Sequence, residues 1–263
     1  MNRKLSAAVF FAAVTTLAFA VSAGAVDGTI DINQAKVIAN GGFPYTITAS
    51  GSYRLTGNLA SPGSTNGINV NASNVTIDLN GFSITGAVIG GGGIDAQPGT
   101  VGTTVENGTV TGFGTGVQLG SNSIVKSVHA DSNYNAGIYI TSNNGLIEGC
   151  TANSNTQNGA ILGNNGVIEG STANSNGSNG ILCTGYGCAI SGNTASGNNT
   201  GISVSTGSLI VHNTIDSNTT VGISASDATT GYGENVINGN GMPVTGGTSL
   251  GEKNTNLCSG TAC

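Results

Sequence analysis

Three charged residues recur at one position of a repeated sequence pattern. Lys126, Glu148 and Glu169 each directly follow an apolar residue in successive copies of the pattern. If the copies stack at about 4.8 Å, as neighbouring strands do, the two carboxylates project side by side. Such a pair could bind a cation such as Ca²⁺, or its pKa values could separate so that one group acts as acid and the other as base. A solvated surface column with a Lys–Glu pair is the alternative interpretation.

A second row of polar residues lies three positions further on in the pattern. It begins at His129 and continues with the threonines Thr151, Thr172, Thr194 and Thr214. Regular hydroxyls on a rigid sheet could hydrogen-bond a sugar or order water or ice, whereas the preference of Thr for exposed strand positions explains the row without a ligand. The threonines are the candidate carbohydrate-binding residues. His129 joins Lys126, Glu148 and Glu169 as a candidate catalytic residue, and Glu148 and Glu169 are also the candidate metal ligands.

These residues belong to a repeat of about 21 residues that fills most of the chain. Its anchoring glycines are Gly67, Gly93, Gly116, Gly137, Gly159, Gly180, Gly201 and Gly222. A repeat this short cannot bury an apolar face alone, so the copies must stack and share a core. The helix-forming residues that helical repeats need are scarce, and the framework of leucine-rich repeats is missing. The sequence therefore predicts an all-β solenoid.

Aligning the copies predicts which side chains point inward. Three apolar columns are expected: Val125, Ile147, Ile168, Ile190 and Ile210; Ala130, Ala152, Ala173, Ala195 and Ile215; and Ile138, Ala160, Ile181, Ile202 and Ile223. An asparagine column follows the second of these: Asn133, Asn155, Asn176, Asn198, Asn218 and Asn240. Asparagine amides at this spacing can hydrogen-bond from coil to coil as a ladder. The segment Gly90–Asp95 matches the start of a calcium-binding nonapeptide only once, and we interpret it as a turn.

The repeat resembles that of a known family. The pattern Ile190-x-x-Asn193-x-Ala195-x-x-Asn198-x-x-Gly201-Ile202-x-Val204 is similar to the repeat of pectate-lyase-like proteins and of the carbohydrate-binding and sugar-hydrolase domain. The segment 74–84 is similar to the first full coil of many such proteins. The resemblance covers roughly residues 67–240 and implies a single-stranded right-handed parallel β-helix. This fold carries lyases, hydrolases, epimerases and adhesins, so it does not identify an activity.

The sequence departs from the enzymes of this family. By resemblance, the lyases would need a carboxylate cluster holding calcium with an Arg or Lys base, and the hydrolases a set of paired Asp residues. After Arg54, the basic residues are Lys126 and Lys253, with His129 and His212, and there is no Asp-Asp pair. We therefore expect a carbohydrate-binding or structural surface module. A polysaccharide lyase or glycoside hydrolase is the alternative, an ice-binding protein is a third, and the question of enzymatic activity stays open.

The N-terminal 25 residues have the features of a signal peptide. Arg3 and Lys4 precede an uncharged apolar run, which ends at the small-residue cleavage pattern Ala23-Gly24-Ala25. We expect a secreted or periplasmic protein without a membrane span after cleavage. Of the six basic and twelve acidic residues, four basic ones would remain, so the mature chain would carry a charge near −8. Nucleic acid is therefore not an expected partner.

The predicted organisation is a signal peptide (1–25), a cap and first coil (26–59), the β-helix (60–241) and a C-terminal tail (242–263). Asp31 is the expected cap of a short α-helix in the second segment. We expect a monomer whose partner is a polysaccharide or cell-surface glycan. The disulfide candidates are Cys183 with Cys188 and Cys258 with Cys263, since export permits disulfides. Cys150 is left as a free thiol in the core wall.

The predicted cleavage site is testable. N-terminal sequencing of the exported protein should give Val26 as the first residue, because cleavage follows the small-residue pattern. Exported protein that still begins at Met1 would contradict the assignment.

Overall fold

The computed structural model describes residues 28–87, 90–251, 255–259 and 261–262. Within these residues the chain is a right-handed parallel β-helix, which confirms the predicted fold. The single α-helix of the described residues, α1 (Gln34–Ala39), follows the first β-strand at the N-terminal end of the solenoid. The predicted signal peptide lies outside the described residues. In the described part of the chain, no helix reaches the length and hydropathy of a membrane span.

The strands form three sheets along the solenoid axis. In chain order they are β1 (Thr29–Ile32), β2 (Tyr45–Ile47), β3 (Gly51–Leu55), β4 (Leu59–Ala60), β5 (Ile68–Val70), β6 (Val75–Asp78), β7 (Ser83–Thr85), β8 (Gly92–Ala96), β9 (Thr104–Thr111), β10 (Thr115–Leu119), β11 (Ile124–His129), β12 (Ala136–Ile140), β13 (Leu146–Glu148), β14 (Asn158–Leu162), β15 (Val167–Glu169), β16 (Asn179–Cys183), β17 (Ala189–Ser191), β18 (Thr194–Ser196), β19 (Thr200–Val204), β20 (Leu209–Val211), β21 (Thr214–Asp216), β22 (Val221–Ala225), β23 (Gly231–Gly233), β24 (Val236–Asn238), β25 (Met242–Thr245), β26 (Thr248–Ser249), β27 (Leu257–Cys258) and β28 (Thr261–Ala262).

Each coil contributes one strand to each of two long sheets. The first sheet runs β1-β3-β6-β9-β11-β13-β15-β17-β20-β23-β26, with β4 and β7 attached at its side. The second sheet runs β2-β5-β8-β10-β12-β14-β16-β19-β22-β25, and the third runs β18-β21-β24-β27-β28. Because pairing is between consecutive coils, residues one repeat apart lie side by side. A sequence column is therefore a spatial row.

The three predicted apolar columns are confirmed. Ile147, Ile168 and Ile190 are partners in the first sheet, and their side chains are completely buried. Ile181 and Ile202 are buried partners in the second sheet. The alanine column is buried at the third side of the coil. The rows together form one continuous core, which no single repeat could supply.

The predicted asparagine ladder is also confirmed. The Asn176 Oδ1 atom accepts hydrogen bonds from the backbone N–H of Asn155 at 2.9 Å and from its Nδ2 atom at 3.0 Å. The Asn176 Nδ2 atom donates to Asn198 Oδ1 and to the Ala152 carbonyl, both at 3.0 Å. Each amide thus satisfies backbone groups at a bend where the strand ladder is interrupted. These asparagines are almost completely buried.

A second ladder occupies the column of Cys150, where the sequence analysis predicted only a free thiol in the core wall. The Asn213 Oδ1 atom accepts from Asn193 at 2.9 and 3.1 Å, and the row continues through Asn235 to Asn256. At the other end, Ser171 Oγ accepts from the Cys150 N–H at 3.1 Å. At the second bend, too, side-chain oxygens accept hydrogen bonds from backbone N–H groups, and the side chains in the earlier coils are shorter.

Two local predictions differ from the structure. The cap of α1 is Asn33, whose Oδ1 atom accepts from Lys36 N at 3.0 Å, rather than Asp31. Asp31 stays extended in β1 because this strand pairs with β3. The segment interpreted as a turn before Asp95 becomes strand β8 from Gly92 onward, because its neighbours β5 and β10 pair with it.

The cysteines and the end of the chain complete the solenoid. Cys183 and Cys188 form a disulfide, and Cys150 is a buried free thiol. Cys258 is disulfide-bonded, while Cys263 lies outside the described residues. Strand pairing continues past residue 241, since β25 pairs with β22 and β26 with β23.

The ladder should contribute measurably to stability. Replacing Asn176 by Leu leaves the Asn155 amide groups without their acceptor, so we expect the free energy of unfolding to fall by about 1 to 3 kcal/mol. Denaturant unfolding monitored by circular dichroism measures this. Gln157→Leu, at an exposed position in the preceding coil, is the control and should have little effect. Equal stabilities for both variants would contradict a structural role for the ladder.

The Cys150 thiol should be unreactive in the folded protein. Burial raises its pKa from the ordinary value of 9.0 to about 11. Because the thiolate is the reactive form, Ellman's reagent at about pH 8 should label Cys150 only after unfolding. The Cys150→Ser variant identifies the signal. The raised pKa also affects stability, because the folded state favours the neutral thiol. The free energy of unfolding should have its full value below about pH 9 and should fall as the pH rises towards about 11. Rapid labelling of the native protein would refute the prediction.

Candidate functional site

The structure places the three charged candidates in one outward row of the first sheet. Lys126 is the strand partner of Glu148, and Glu148 is the partner of Glu169. The Lys126 Nζ atom lies 3.0 Å from Glu148 Oε2 and 3.2 Å from Oε1. Both side chains are half-exposed, so the ion pair is a modest contributor to stability. Its main effect is to compensate one of the two carboxylates.

The row extends further than the sequence analysis recognised. Glu106 is the strand partner of Lys126, and Asp78 is the partner of Glu106. Arg54 and Asp31 continue the row, with the Arg54 Nη2 atom 2.9 Å from Asp31 Oδ1. These charged residues align with Lys126 in the sequence, but the greater length of the first coils obscures that alignment. The outer face of the first sheet is thus a predominantly acidic ridge with two internal ion pairs.

Three stacked glycines lie beside this ridge. Gly149, Gly170 and Gly192 have φ values of +59°, +57° and +66°, in the left-handed region that favours glycine. In neighbouring coils the same position is filled by Ser127, His212 and Glu234, also with positive φ. Hence the bend itself does not demand glycine. A Cβ atom on Gly170 would meet nothing within 4 Å, so the absent side chains leave open space.

The open space is a shallow groove, which we call the glycine trough. It has a volume of about 420 Å³ and is lined by Glu148, Glu169 and Ser191 together with the three glycines. In the described part of the chain, no side chain binds the Glu169 carboxylate. Both carboxylates thus border one volume that a ligand can enter, and Glu169 retains its full capacity to accept hydrogen bonds.

The trough was within reach of sequence reasoning. Glycine directly follows Glu148 and Glu169, and it directly follows Ser191 in the next copy. The sequence analysis treated these residues as part of the repeat, because a glycine column by itself does not distinguish a tight turn from a groove. Ser127 and His212 occupy the same position in other coils and distinguish these two explanations, since they show that the backbone tolerates a side chain there.

The structure shows how many protein ligands the metal candidates Glu148 and Glu169 could share with neighbouring residues. Among the described residues, no three His, Cys, Asp or Glu side chains converge on one metal position. Calcium takes six to eight oxygen ligands. A Ca²⁺ ion held by Glu148 and Glu169 would therefore take its remaining ligands from water or from a bound polyhydroxy compound.

The threonine row lies on the other side of the trough from the charged ridge. His129, Thr151, Thr172 and Thr194 are paired by successive bridges, and Thr194 pairs with Thr214. The Thr151 hydroxyl is already engaged, 2.9 Å from His129 Nδ1 and 3.1 Å from Asp131 Oδ2. His129 therefore interacts with the threonine row rather than with the carboxylates. The trough lining includes none of these residues.

Known structures with the same fold include enzymes and phage proteins. The enzymatically active domain of bacteriophage CBA120 tailspike protein 2 matches with a TM-score of 0.58 and 14% identity, over 81% of this chain and 40% of that domain. The Azotobacter vinelandii mannuronan C-5 epimerase AlgE4 A-module matches with a TM-score of 0.53 and 16% identity, over 77% and 80% of the two chains. The Dettilon tailspike protein matches with a TM-score of 0.53 and 13% identity, over 86% and 55%.

At these identities the likeness concerns the fold, and the chain spans less than half of the CBA120 tailspike domain. A search of curated proteins finds no match. The model of the family described as "Right handed beta helix region" matches residues 27–189 and 92–242, which together cover most of the chain. The chain therefore belongs to the right-handed β-helix family.

Proposed function

We propose that this protein is exported and binds carbohydrate in the glycine trough. The observation that carries the proposal is the convergence of the Glu148 and Glu169 carboxylates on one open volume. Carboxylates accept hydrogen bonds from sugar hydroxyls, and these charge-assisted bonds are stronger than those between neutral groups. A volume of about 420 Å³ also falls in the range typical of small-ligand sites.

The shape of the trough suits a short stretch of an extended chain. It passes over three coils, so its length along the solenoid axis is about 14 Å at a coil spacing of about 4.8 Å. Its glycine floor is flat and made of backbone, which lets a ring approach closely. The likeness to a mannuronan C-5 epimerase and to phage tailspikes is consistent with a glycan ligand, although it reflects the fold.

The charges select among glycans. Glu169 has no compensating cation within the described chain, and Glu106 and Asp78 extend the acidic ridge beyond Lys126. A polyuronate would meet like charge along the whole ridge, which costs binding free energy. Neutral glycans and amino sugars are therefore the proposed ligands. In this respect the protein would differ from an enzyme that acts on mannuronan.

A second candidate function is hydrolysis of the bound glycan. Glu148 and Glu169 occupy partner positions of adjacent strands, which are about 4.8 Å apart. Retaining glycosidases use carboxyl groups about 5 to 5.5 Å apart. In this scheme Glu148, which is paired with Lys126, would be the nucleophile and Glu169 would be the acid. New reducing ends on incubation with the bound glycan would support hydrolysis, and their absence would leave binding alone.

The proposal is tested by removing one carboxylate. A glycan array identifies ligands of the mature domain, and calorimetry then compares wild type with Glu169→Gln. We expect Glu169→Gln to weaken binding about 10- to 100-fold, because a hydrogen bond to a charged group contributes about 1.5 to 3 kcal/mol. The variant should unfold at the same denaturant concentration as wild type, since Glu169 is exposed.

Glu106→Gln is the matched control. Glu106 lies in the same outward row but does not line the trough, so its loss should leave the affinity unchanged. The titrations are repeated with CaCl₂ and with a chelator to establish whether a cation bridges the two carboxylates. If folded wild type gives no heat with any array glycan or with Ca²⁺, the glutamates are a solvated surface column and the proposal is wrong.

A further inference from the structure

A second cleft lies on the outer face of the second sheet. It has a volume of about 510 Å³, and its lining includes Asp95, Gln118, Thr141 and the turn formed by residues 97–101. The second sheet and the turns that follow it are on a different side of the core from the glycine trough. None of the trough residues contributes to the cleft.

The cleft arises from one long turn. Ten residues lie between the inward Ile94 and Val105, whereas seven lie between their partners Val117 and Val125 in the next coil. The extra residues project as a wall beside the sheet. The wall has a fixed shape, because Pro98-Gly99 forms a tight turn in which Thr100 N donates to the Gln97 carbonyl at 3.1 Å.

The long turn is also tied to its neighbours on both sides. Val101 N donates to Ser73 Oγ at 3.1 Å in the preceding coil, and Gly102 N donates to the Ser121 carbonyl at 3.0 Å in the following coil. The wall is therefore part of the folded framework. A ligand would meet a preformed cleft and would not have to order this loop.

Asp95 is held in place inside the cleft. Its Oδ2 atom accepts from Asn66 Nδ2 at 3.0 Å, and its Oδ1 atom accepts from Gln118 Nε2 at 3.3 Å. Asn66 is itself fixed, since it donates to Asn69 Oδ1 at 2.7 Å and accepts from Gly92 N at 2.6 Å. Each carboxylate oxygen retains a further lone pair for a ligand.

Asp95 is also partly removed from water. Burial raises the pKa of the Asp95 carboxyl, and the hydrogen bond from Asn66 offsets part of this rise. A hydroxyl that donates to the carboxylate would replace some of the lost hydration. The partly buried carboxylate is thus a stronger acceptor than a fully solvated one.

The row that contains Asp95 continues with side chains of complementary chemistry. Gln118 is the strand partner of Asp95, and Tyr139 is the partner of Gln118. An acidic acceptor, an amide and a half-buried aromatic ring therefore follow one another along the outer face. Hydroxyl-rich rings need polar groups for their edges and an apolar surface for their faces, and this row supplies both.

We propose that this cleft is a second binding site for a neutral sugar, in which Asp95 and Gln118 bind a vicinal pair of hydroxyls and Tyr139, which borders the cleft as the strand partner of Gln118, packs against the ring. The site is independent of the trough. A protein with both sites would contact glycan on two faces of the solenoid. Its affinity for a polymer or a glycan-coated surface would then exceed that of either site alone, because the second contact is intramolecular.

The test uses methyl glycosides of glucose, galactose and mannose as probes. Saturation-transfer NMR on the mature domain should show contact with at least one of them. In the Glu169→Gln background, where binding in the trough is weakened, the remaining signal should fall at least about tenfold when Asp95→Asn or Tyr139→Ala is added, because each removes one of the two kinds of contact. Tyr186→Ala, at an exposed tyrosine outside the cleft, should retain the signal.

The variants also separate the two sites. Glu169→Gln changes only the trough, so it should leave the saturation transfer that depends on Asp95 unchanged. Tyr139→Ala guards against misfolding of Asp95→Asn, and unfolding curves establish that both variants are folded. The proposal is overturned if folded wild type shows no transfer to any probe. It is equally overturned if the signal persists in both cleft variants or disappears only in Glu169→Gln.

Discussion

Backbone amides at the bends between strands impose the main constraint on this solenoid. Strands pair with strands over most of each coil, but at a bend the N–H groups turn away from the regular ladder. Asparagine amides take over at two of the bends, and each accepts from the backbone of the preceding coil. Because these amides are buried, the bends would be costly without them. At the bends, side-chain hydrogen bonds thus replace the backbone hydrogen bonds of the strands. The parallel stacking that positions the candidate functional side chains depends on this replacement.

The sequence predicted the fold because the same constraint acts in every copy. Inward Ile147, Ile168 and Ile190 are predictable, since a single wrong side chain would interrupt a shared core. The Asn176 ladder is predictable for the same reason. The cap of α1 was not, because Asn33 and Asp31 are both good capping residues and only the pairing of β1 with β3 decides between them. Local chemistry alone leaves that choice open.

The candidate sites were predictable only where they follow the repeat. Glu148 and Glu169 are visible as a column, and their placement side by side follows from the coil spacing. Asp95 has no acidic counterpart in the next coils, where Gln118 and Tyr139 take its place, so no periodic signal marks it. The cleft around it is produced by a departure from the period. A search for the sequence repeat therefore identifies the stacked coils and the acidic ridge. It does not identify the long turn that forms the cleft.

The asparagine ladders have a direction, because each Oδ1 atom faces the preceding coil and each coil presents the same face to the next. A coil can therefore be inserted or removed as a unit without reversing any amide, provided that the whole repeat is copied. The nearly identical segments 146–155 and 167–176 have the character of such a unit. Each unit carries its own glutamate and glycine. The number of copies would therefore determine the length of the trough in steps of one coil.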